Sequence, residues 1–240
     1  MNDLSENVDP QEIHKFKQLA AHWWDPHGVL KTLHDINPLR LGYVDQRAGL
    51  AGRDVIDVGC GGGILAEAMG QRDARVTAID AADEPLTVAR LHQAESGTNV
   101  TYIRSTPEAF ASQHKGSFHI VTCMELLEHV PDPSRVVKAC AHLARPGGHL
   151  FFSTINRTPK AYLFAVIGAE YVLNMLPQGT HEYSRFIKPA ELACWCRANA
   201  SDLVDITGLS YNPITRRYAL GRDVDVNYFV HARRNGNGAS

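Results

Sequence analysis

An excess of either charge is missing from this chain: 24 Lys and Arg stand against 26 Asp and Glu, a net of −2. Such a balance leaves no electrostatic footprint for nucleic acid. An Asn-Pro-Pro-Tyr type base pocket is also lacking, since Asn212-Pro213-Ile214 reads only as a turn. Cysteine is sparse. Cys60, Cys123, Cys140, Cys194 and Cys196 make an odd count of 5 with no C-x-x-C pair, and no histidines stand at zinc spacing beside the last two. That pattern excludes a disulfide framework and reads as free thiols in a reducing cytosol. The start, Met1 to Glu6, is acidic and lacks the apolar core of a secretion signal. Long hydrophobic runs are absent too. Ala161 to Leu176 carries one charge, Glu170, but is shorter than the roughly twenty apolar residues that span a bilayer. Repeats and low-complexity tracts are missing, and the tail Asn235 to Ser240 is expected to be mobile. With 44% hydrophobic and 21% charged residues in 240, the chain has ordinary globular composition and the length for one α/β domain, 1–240.

What is present is concentrated between Asp54 and Leu65. Asp54-Val55-Ile56-Asp57-Val58 reads as a buried strand, Gly59-Cys60-Gly61-Gly62-Gly63 forces a tight turn, and Ile64-Leu65-Ala66-Glu67-Ala68-Met69 continues at helical spacing. Glycines let the backbone approach a ligand, and the helix start points unpaired N–H groups at it. Some twenty residues later, Arg75 to Asp80 is a second strand ending in a carboxylate, placed to hold ribose hydroxyls.

Around this unit the pattern alternates. Strands are expected near 54–59, 75–80, 99–104, 117–123 and 148–154, with helices near 62–71, 83–96, 107–113 and 133–144, which implies a parallel sheet with helices on both faces. Two late segments, 203–209 and 224–231, have no helix between them and read as an antiparallel hairpin joined through Asn212-Pro213, completing seven strands. Ahead of the sheet, Asp9-Pro10-Gln11-Glu12 reads as a helix start with Glu12 at its third position, followed by Ile13, Phe16, Ala20 and Trp23 on one face. Asn37-Pro38 is expected to open a second helix, with Leu39, Tyr43 and Val44 inward and Arg40 on a different face. Together residues 1–50 form a helical cover. The apolar insertion, 157–187, has three readings: a core helix, a lid over an apolar substrate, or a helix in the membrane surface.

A dinucleotide fingerprint needs a third glycine where this chain has Ile64. Asp57, two residues before the first glycine, suits a cation and would repel a pyrophosphate. S-adenosylmethionine carries such a cation in its α-amino group. A P-loop is excluded because no Lys-Ser or Lys-Thr follows the glycines. Asp57, Gly59, Gly61 and Asp80 therefore form a candidate S-adenosylmethionine site, and they resemble the methyltransferase class built on a Rossmann-like seven-stranded sheet. After the third strand, Glu108 or a backbone group would hold the adenine amine.

At the C-terminal end of the fourth strand stand Met124-Glu125-Leu126-Leu127-Glu128-His129-Val130-Pro131, where ligands of open α/β sheets bind. In a helix, Glu125 and His129 share a face, so His129 is a candidate general base with Glu125 fixing its tautomer. A second reading has Glu125, Glu128 and His129 holding a divalent cation, Mg²⁺ by its preference for oxygen.

The flanks narrow the resemblance. Trp23-Trp24-Asp25, Leu33 to Tyr43, Asp57 to Leu65, Met124 to Pro133, Gly179-Thr180-His181 and Asp225 to Tyr228 resemble the bacterial ubiquinone-biosynthesis O-methyltransferases from about Asn7 to His231. The resemblance implies methylation of polyprenylated catechol-type hydroxyls, in 2-polyprenyl-6-hydroxyphenol and in 3-demethylubiquinol. It implies cofactor contacts at Arg40, Gly59, Asp80 and Met124, and a metal at Glu125, Glu128 and His129. It also implies a cytoplasmic enzyme peripheral to the inner face of the cytoplasmic membrane, touching anionic lipid through the apolar insertion and meeting other ubiquinone-biosynthesis enzymes. Two other readings are a soluble methyltransferase with a different acceptor and a non-catalytic S-adenosylmethionine-binding protein.

Overall fold

In the computed structural model, described here over residues 7–162 and 183–236, β-branched and aromatic residues set the sheet and their neighbours decide its two faces. Successive residues in a strand point to opposite sides. Val55, Ile120, Phe151 and Phe229 fall on one face, Ile56, Val121, Phe152 and Val230 on the other, and all eight are buried. Such continuous apolar strands need covering on both faces.

The strands are β1 (Asp54–Val58), β2 (Arg75–Asp80), β3 (Val100–Arg104), β4 (Phe118–Met124), β5 (Ala144–Ile155), β6 (Ser201–Asn212), β7 (Arg217–Gly221) and β8 (Asn227–Arg234). They form a Rossmann-like sheet of order β3-β2-β1-β4-β5-β8-β6-β7. The pairs among β1 to β5 are parallel, and β8 runs antiparallel between β5 and β6. Strand order reverses between β1 and β4, the switch point that opens a ligand crevice at their C-terminal ends.

The sheet has eight strands rather than seven. Asn212-Pro213 lies in the turn from β6 to β7, and β8 then enters between β5 and β6. The Asn212 side chain caps that turn by accepting the N–H groups of Ile214 and Thr215, an Asx turn that closes the hairpin at once.

On one face lie α2 (Lys31–Ala48), α3 (Ile64–Gly70) and α4 (Asp83–Ser96); on the other lie α5 (Pro107–Gln113), α6 (Pro133–Leu143) and α8 (Pro189–Ala198). A single turn, α7 (Pro159–Ala161), leads towards residue 163, and α1 (Pro10–Leu19) stands ahead of the sheet. Asp9 caps α1 by accepting the Gln11 N–H, and Pro10 takes the first helical position, where its missing N–H costs nothing. The sequence reading had no place for α8, although Pro189, Glu191, Leu192 and Cys196 carry its start and its buried face.

Two helix expectations are corrected. Helix α2 begins at Lys31, with Pro38 inside it, so one turn loses a hydrogen bond without breaking. Its buried face is Ile36, Arg40, Tyr43 and Val44, so Arg40 lies on the inward side rather than away from it. All five cysteines are free. Among the described residues no helix is long and apolar enough to cross a membrane. The stretch 163–176, Gly179-Thr180-His181 and the tail beyond residue 236 lie outside the described residues.

Phe151 is fully buried between the Tyr43 ring at 5.8 Å and the His231 ring at 4.6 Å. Phe151→Ala is expected to cost about 3–5 kcal/mol in urea unfolding, whereas Ile214→Ser, at a residue 91% exposed, stays within about 0.5 kcal/mol. Equal losses would contradict this placement of the core.

Candidate active site

A cavity of about 730 Å³ opens at the switch point, and nine of the site residues named from the sequence line it: Arg40, Asp57, Gly59, Gly61, Asp80, Met124, Glu125, Glu128 and His129. Its volume is within the range of cofactor and ligand sites. The glycine loop forms its floor. Gly59 and Cys60 both donate their N–H groups to the carbonyl of Ile79, binding the loop to β2. Gly61 has φ +53°, a left-handed conformation, and a Cβ there would come within 2.1 Å of the Trp23 ring. Only glycine meets both conditions.

The N-terminal segment closes over this loop. Trp23 packs on Gly61 and Gly62, Trp24 donates its indole N–H to the Gly62 carbonyl at 2.9 Å, and the Trp24 ring stacks on His92. The indole bond is a directional contact that apolar packing alone would not supply.

Charge in the cavity is buried and incompletely balanced. Asp57, 4% exposed, accepts the Thr122 hydroxyl at 2.6 Å, and burial pushes its carboxyl up to about 6 despite that bond and the nearby Arg40 guanidinium. Arg40 donates to the Leu33 carbonyl and the Asn37 side chain, while its Nε has no partner. Burial lowers its pKa against the pull of Glu125 and Asp57. Asp80 accepts the N–H of Gly61 on Oδ2 and that of Ala82 on Oδ1. Burial raises its carboxyl nonetheless, and each oxygen keeps lone-pair capacity for a hydroxyl.

The segment after β4 departs from a regular helix. Glu125 has φ +56°, and its N–H and Oε1 are both held by Ser153. A short 3-10 turn, Leu127–His129, follows. Glu128 accepts the Thr154 hydroxyl at 2.9 Å on Oε2, whereas its Oε1 is buried without a partner. Burial and the neighbouring Glu125 charge push the Glu128 carboxyl up to about 7. His129 does not pair with Glu125. Its Nδ1 lies 2.9 Å from Oε2 of Glu12, and Phe16, one turn further along α1, meets the ring edge-on at 5.1 Å. Burial disfavours the charged imidazole, but the Glu12 hydrogen bond and the carboxylates of Glu128, Glu12 and Glu125 outweigh it and raise its pKa.

Sequence reasoning missed Glu12, which it used only as a helix-start signal. Its spacing from Phe16 was the available clue, since positions four apart share a helix face. Glu108, weighed for the adenine, instead accepts from Asn7 at 2.6 Å and does not line the cavity; Ser105 and Pro107 do.

A family model described as a methyltransferase domain matches residues 39–200. The ubiquinone biosynthesis O-methyltransferase of Saccharophagus degradans is 60% identical over 229 residues, covering 95% of this chain and 97% of that protein. The protein of the same name from Nitrosospira multiformis is 59% identical, over 95% and 96%. The chain belongs to the ubiquinone biosynthesis O-methyltransferase family. A magnesium protoporphyrin IX methyltransferase from Synechocystis, solved with bound S-adenosylmethionine, is 17% identical with a TM-score of 0.64, covering 95% of this chain and all of that one, a likeness of fold.

The resemblance to this family implied a metal at Glu125, Glu128 and His129, and the side chains do not assemble one. Among the described residues no group of three His, Cys, Asp or Glu is placed to hold an ion. Ser153 and Thr154 are neighbours in β5 and point to opposite faces, so the glutamates they hold are drawn to different sides. Nδ1 of His129 is turned to Glu12.

In this member of the family, Asp57 makes the ligand-free protein less stable as pH rises. A carboxyl at about 6 folded and 3.8 ordinarily binds more protons in the folded state between those values, so stability falls as pH rises through that window. Asp57→Asn is expected to match its parent near pH 4 and to exceed it by roughly 2–3 kcal/mol at pH 7 in urea unfolding. A gap that does not change with pH would contradict the burial argument.

Proposed function

We propose that this chain transfers a methyl group from S-adenosylmethionine to catechol-type hydroxyls of polyprenylated substrates in ubiquinone biosynthesis, 2-polyprenyl-6-hydroxyphenol and 3-demethylubiquinol. The observation that carries the reading is one cavity in which a cation-seeking carboxylate, Asp57, stands at the end of β1 while Glu128 and His129 stand at the end of β4. The names of the close relatives support the same acceptor class.

S-adenosylmethionine supplies a methyl group already activated on a sulfonium, so alignment and removal of the hydroxyl proton are what remains for the protein. Asp57 would take the amino group, whose charge restores its ionised form, and the unpartnered Nε of Arg40 suits the carboxylate. Asp80 would take the ribose hydroxyls, with Gly59, Gly61 and Met124 shaping the wall around them. His129 takes the acceptor proton. Its raised pKa narrows the gap to a phenol near ~10. Glu128 would accept the second hydroxyl of a catechol on its unpartnered Oε1, relieving its buried lone pairs.

A long prenyl tail has to be met at a lipid surface, and the stretch 161–176 is the segment we assign to that contact. Of its flanking cations, Arg157 pairs with Glu191, Lys160 with Asp223 and Asp225, and Arg185 with Asp9, while Lys188 stands exposed at the start of α8. Docking would therefore rest on the apolar side chains, with Lys188 available for anionic lipid.

Labelled methyl is expected in short-chain demethylubiquinol extracted after incubation, and its absence would overturn the acceptor. Asp80→Ala should weaken S-adenosylmethionine binding about ten-fold or more by calorimetry. His129→Ala should leave that binding within about two-fold while lowering turnover by about 10²–10⁴. Replacing Leu163, Phe164 and Ile167 by Ser should abolish sedimentation with liposomes, neutral and anionic alike. Retained sedimentation would remove the assignment of 161–176.

A further inference from the structure

Helix α1 reaches the reacting end of the cavity with one charged side chain buried there. Glu12 is 8% exposed, although it belongs to a ten-residue helix on the outside of the fold. Both of its oxygens are engaged: Oε2 with Nδ1 of His129 at 2.9 Å, and Oε1 with Nζ of Lys15 at 2.7 Å. A buried carboxylate is costly unless paired on both sides, and here the pairing is complete. Burial works against ionisation, yet the bonds from His129 and Lys15 prevail and hold the Glu12 carboxyl down at about 2.

The placement of α1 is itself secured from three directions. Asn7 bonds both ways to the backbone of Asp132, accepting its N–H at 2.8 Å and donating to its carbonyl at 3.0 Å. That backbone lies three residues beyond His129. Asp9, the cap of α1, pairs with Arg185 at 2.7 Å, and Phe16 packs against the His129 ring itself. These contacts leave Glu12 little freedom to take another partner. They also join α1 to the same short loop that carries His129.

We propose that Glu12 is a positioning residue for methyl transfer, holding the His129 imidazole through Nδ1 so that its Nε2 addresses the acceptor hydroxyl. The proposal rests on the reading of His129 as the group that takes the acceptor proton. With Nδ1 committed to a carboxylate, the ring is fixed in tautomer and in plane, and proton exchange with the acceptor passes through Nε2. Glu12 does not touch the acceptor. Its effect falls on turnover and leaves the binding of either substrate alone.

The test compares Glu12→Ala, Glu12→Gln, His129→Asn and the double variant Glu12→Ala/His129→Asn in the full chain. Glu12→Ala is expected to lower kcat by about 10- to 100-fold, with the acceptor KM and the S-adenosylmethionine Kd within about two-fold of the parent. Glu12→Gln, which can still accept from Nδ1, should recover part of that loss. The ¹⁵N shifts of the His129 ring should report one tautomer in the parent and a mixture in Glu12→Ala. The double variant should be no slower than His129→Asn alone. Parental kcat in Glu12→Ala and Glu12→Gln, beside an inactive His129→Asn, would overturn the role of Glu12 and leave that of His129 standing. Parental kcat in His129→Asn would overturn the reading of His129 itself. Should Glu12→Ala fail to fold, Glu12→Gln carries the test: parental kcat with unchanged ring shifts, or a loss in Glu12→Gln that adds in full to that of His129→Asn, would defeat the proposal.

Discussion

At the end of β1 the N–H groups of Gly59 and Cys60 share the carbonyl of Ile79, and Gly61 turns left-handed to give its own N–H to Asp80. Three consecutive backbone donors are thereby tied to the end of β2 before α3 begins. The rest of the site depends on this knot. It sets how closely Trp23 can descend on the loop, because there is no Cβ to hold it off. It also fixes where Asp80 stands, because the carboxylate that accepts from Gly61 and Ala82 cannot swing away. The loop is a local solution to a sharp turn, and it doubles as the wall of a binding cavity.

Against that wall the fold buries more negative charge than it neutralises. Asp57, Asp80 and Glu128 are all raised from their ordinary values, principally by burial, and Arg40 is a cation drawn in among them. Proteins rarely leave such groups unpaired unless a ligand completes them. The imbalance has two ends. At β1 it asks for a cation, and at β4 it favours a protonated neighbour or a hydroxyl donor. A methyl donor bearing an ammonium group and an acceptor bearing two hydroxyls answer both demands.

Much of the fold was legible. Helices α4 and α5 span the residues expected of them, because their capping residues and apolar spacing are local signals. Strand β7 and helix α8 went unread for different reasons. In β7, Arg217-Tyr218-Ala219-Leu220-Gly221 half-buries alternate residues at the sheet edge, a weak pattern beside the strongly apolar β8. Helix α8 is short and follows an apolar segment that drew the reading elsewhere. Arg40 was placed on the wrong face since a helix start at Asn37-Pro38 left out Ile36, the buried residue one turn before it.

The sequence by itself determined the glycine-loop site that we propose for the methyl donor, since Asp57, Gly59, Gly61 and the helix after them are contiguous and Asp80 lies one strand away. Backbone conformation and hydrogen bonding within so short a span follow from residue type. Only the tertiary structure decided the reacting end. Glu12 and His129 are 117 positions apart, and their 2.9 Å contact exists because α1 packs against the loop that follows β4. Helical periodicity suggested Glu125 as the partner of His129, but the chain takes a left-handed step at Glu125 and hands that carboxylate to Ser153. A spacing rule presumes an unbroken helix, and the sharp turn at the strand end, which lets the site exist, is what breaks it.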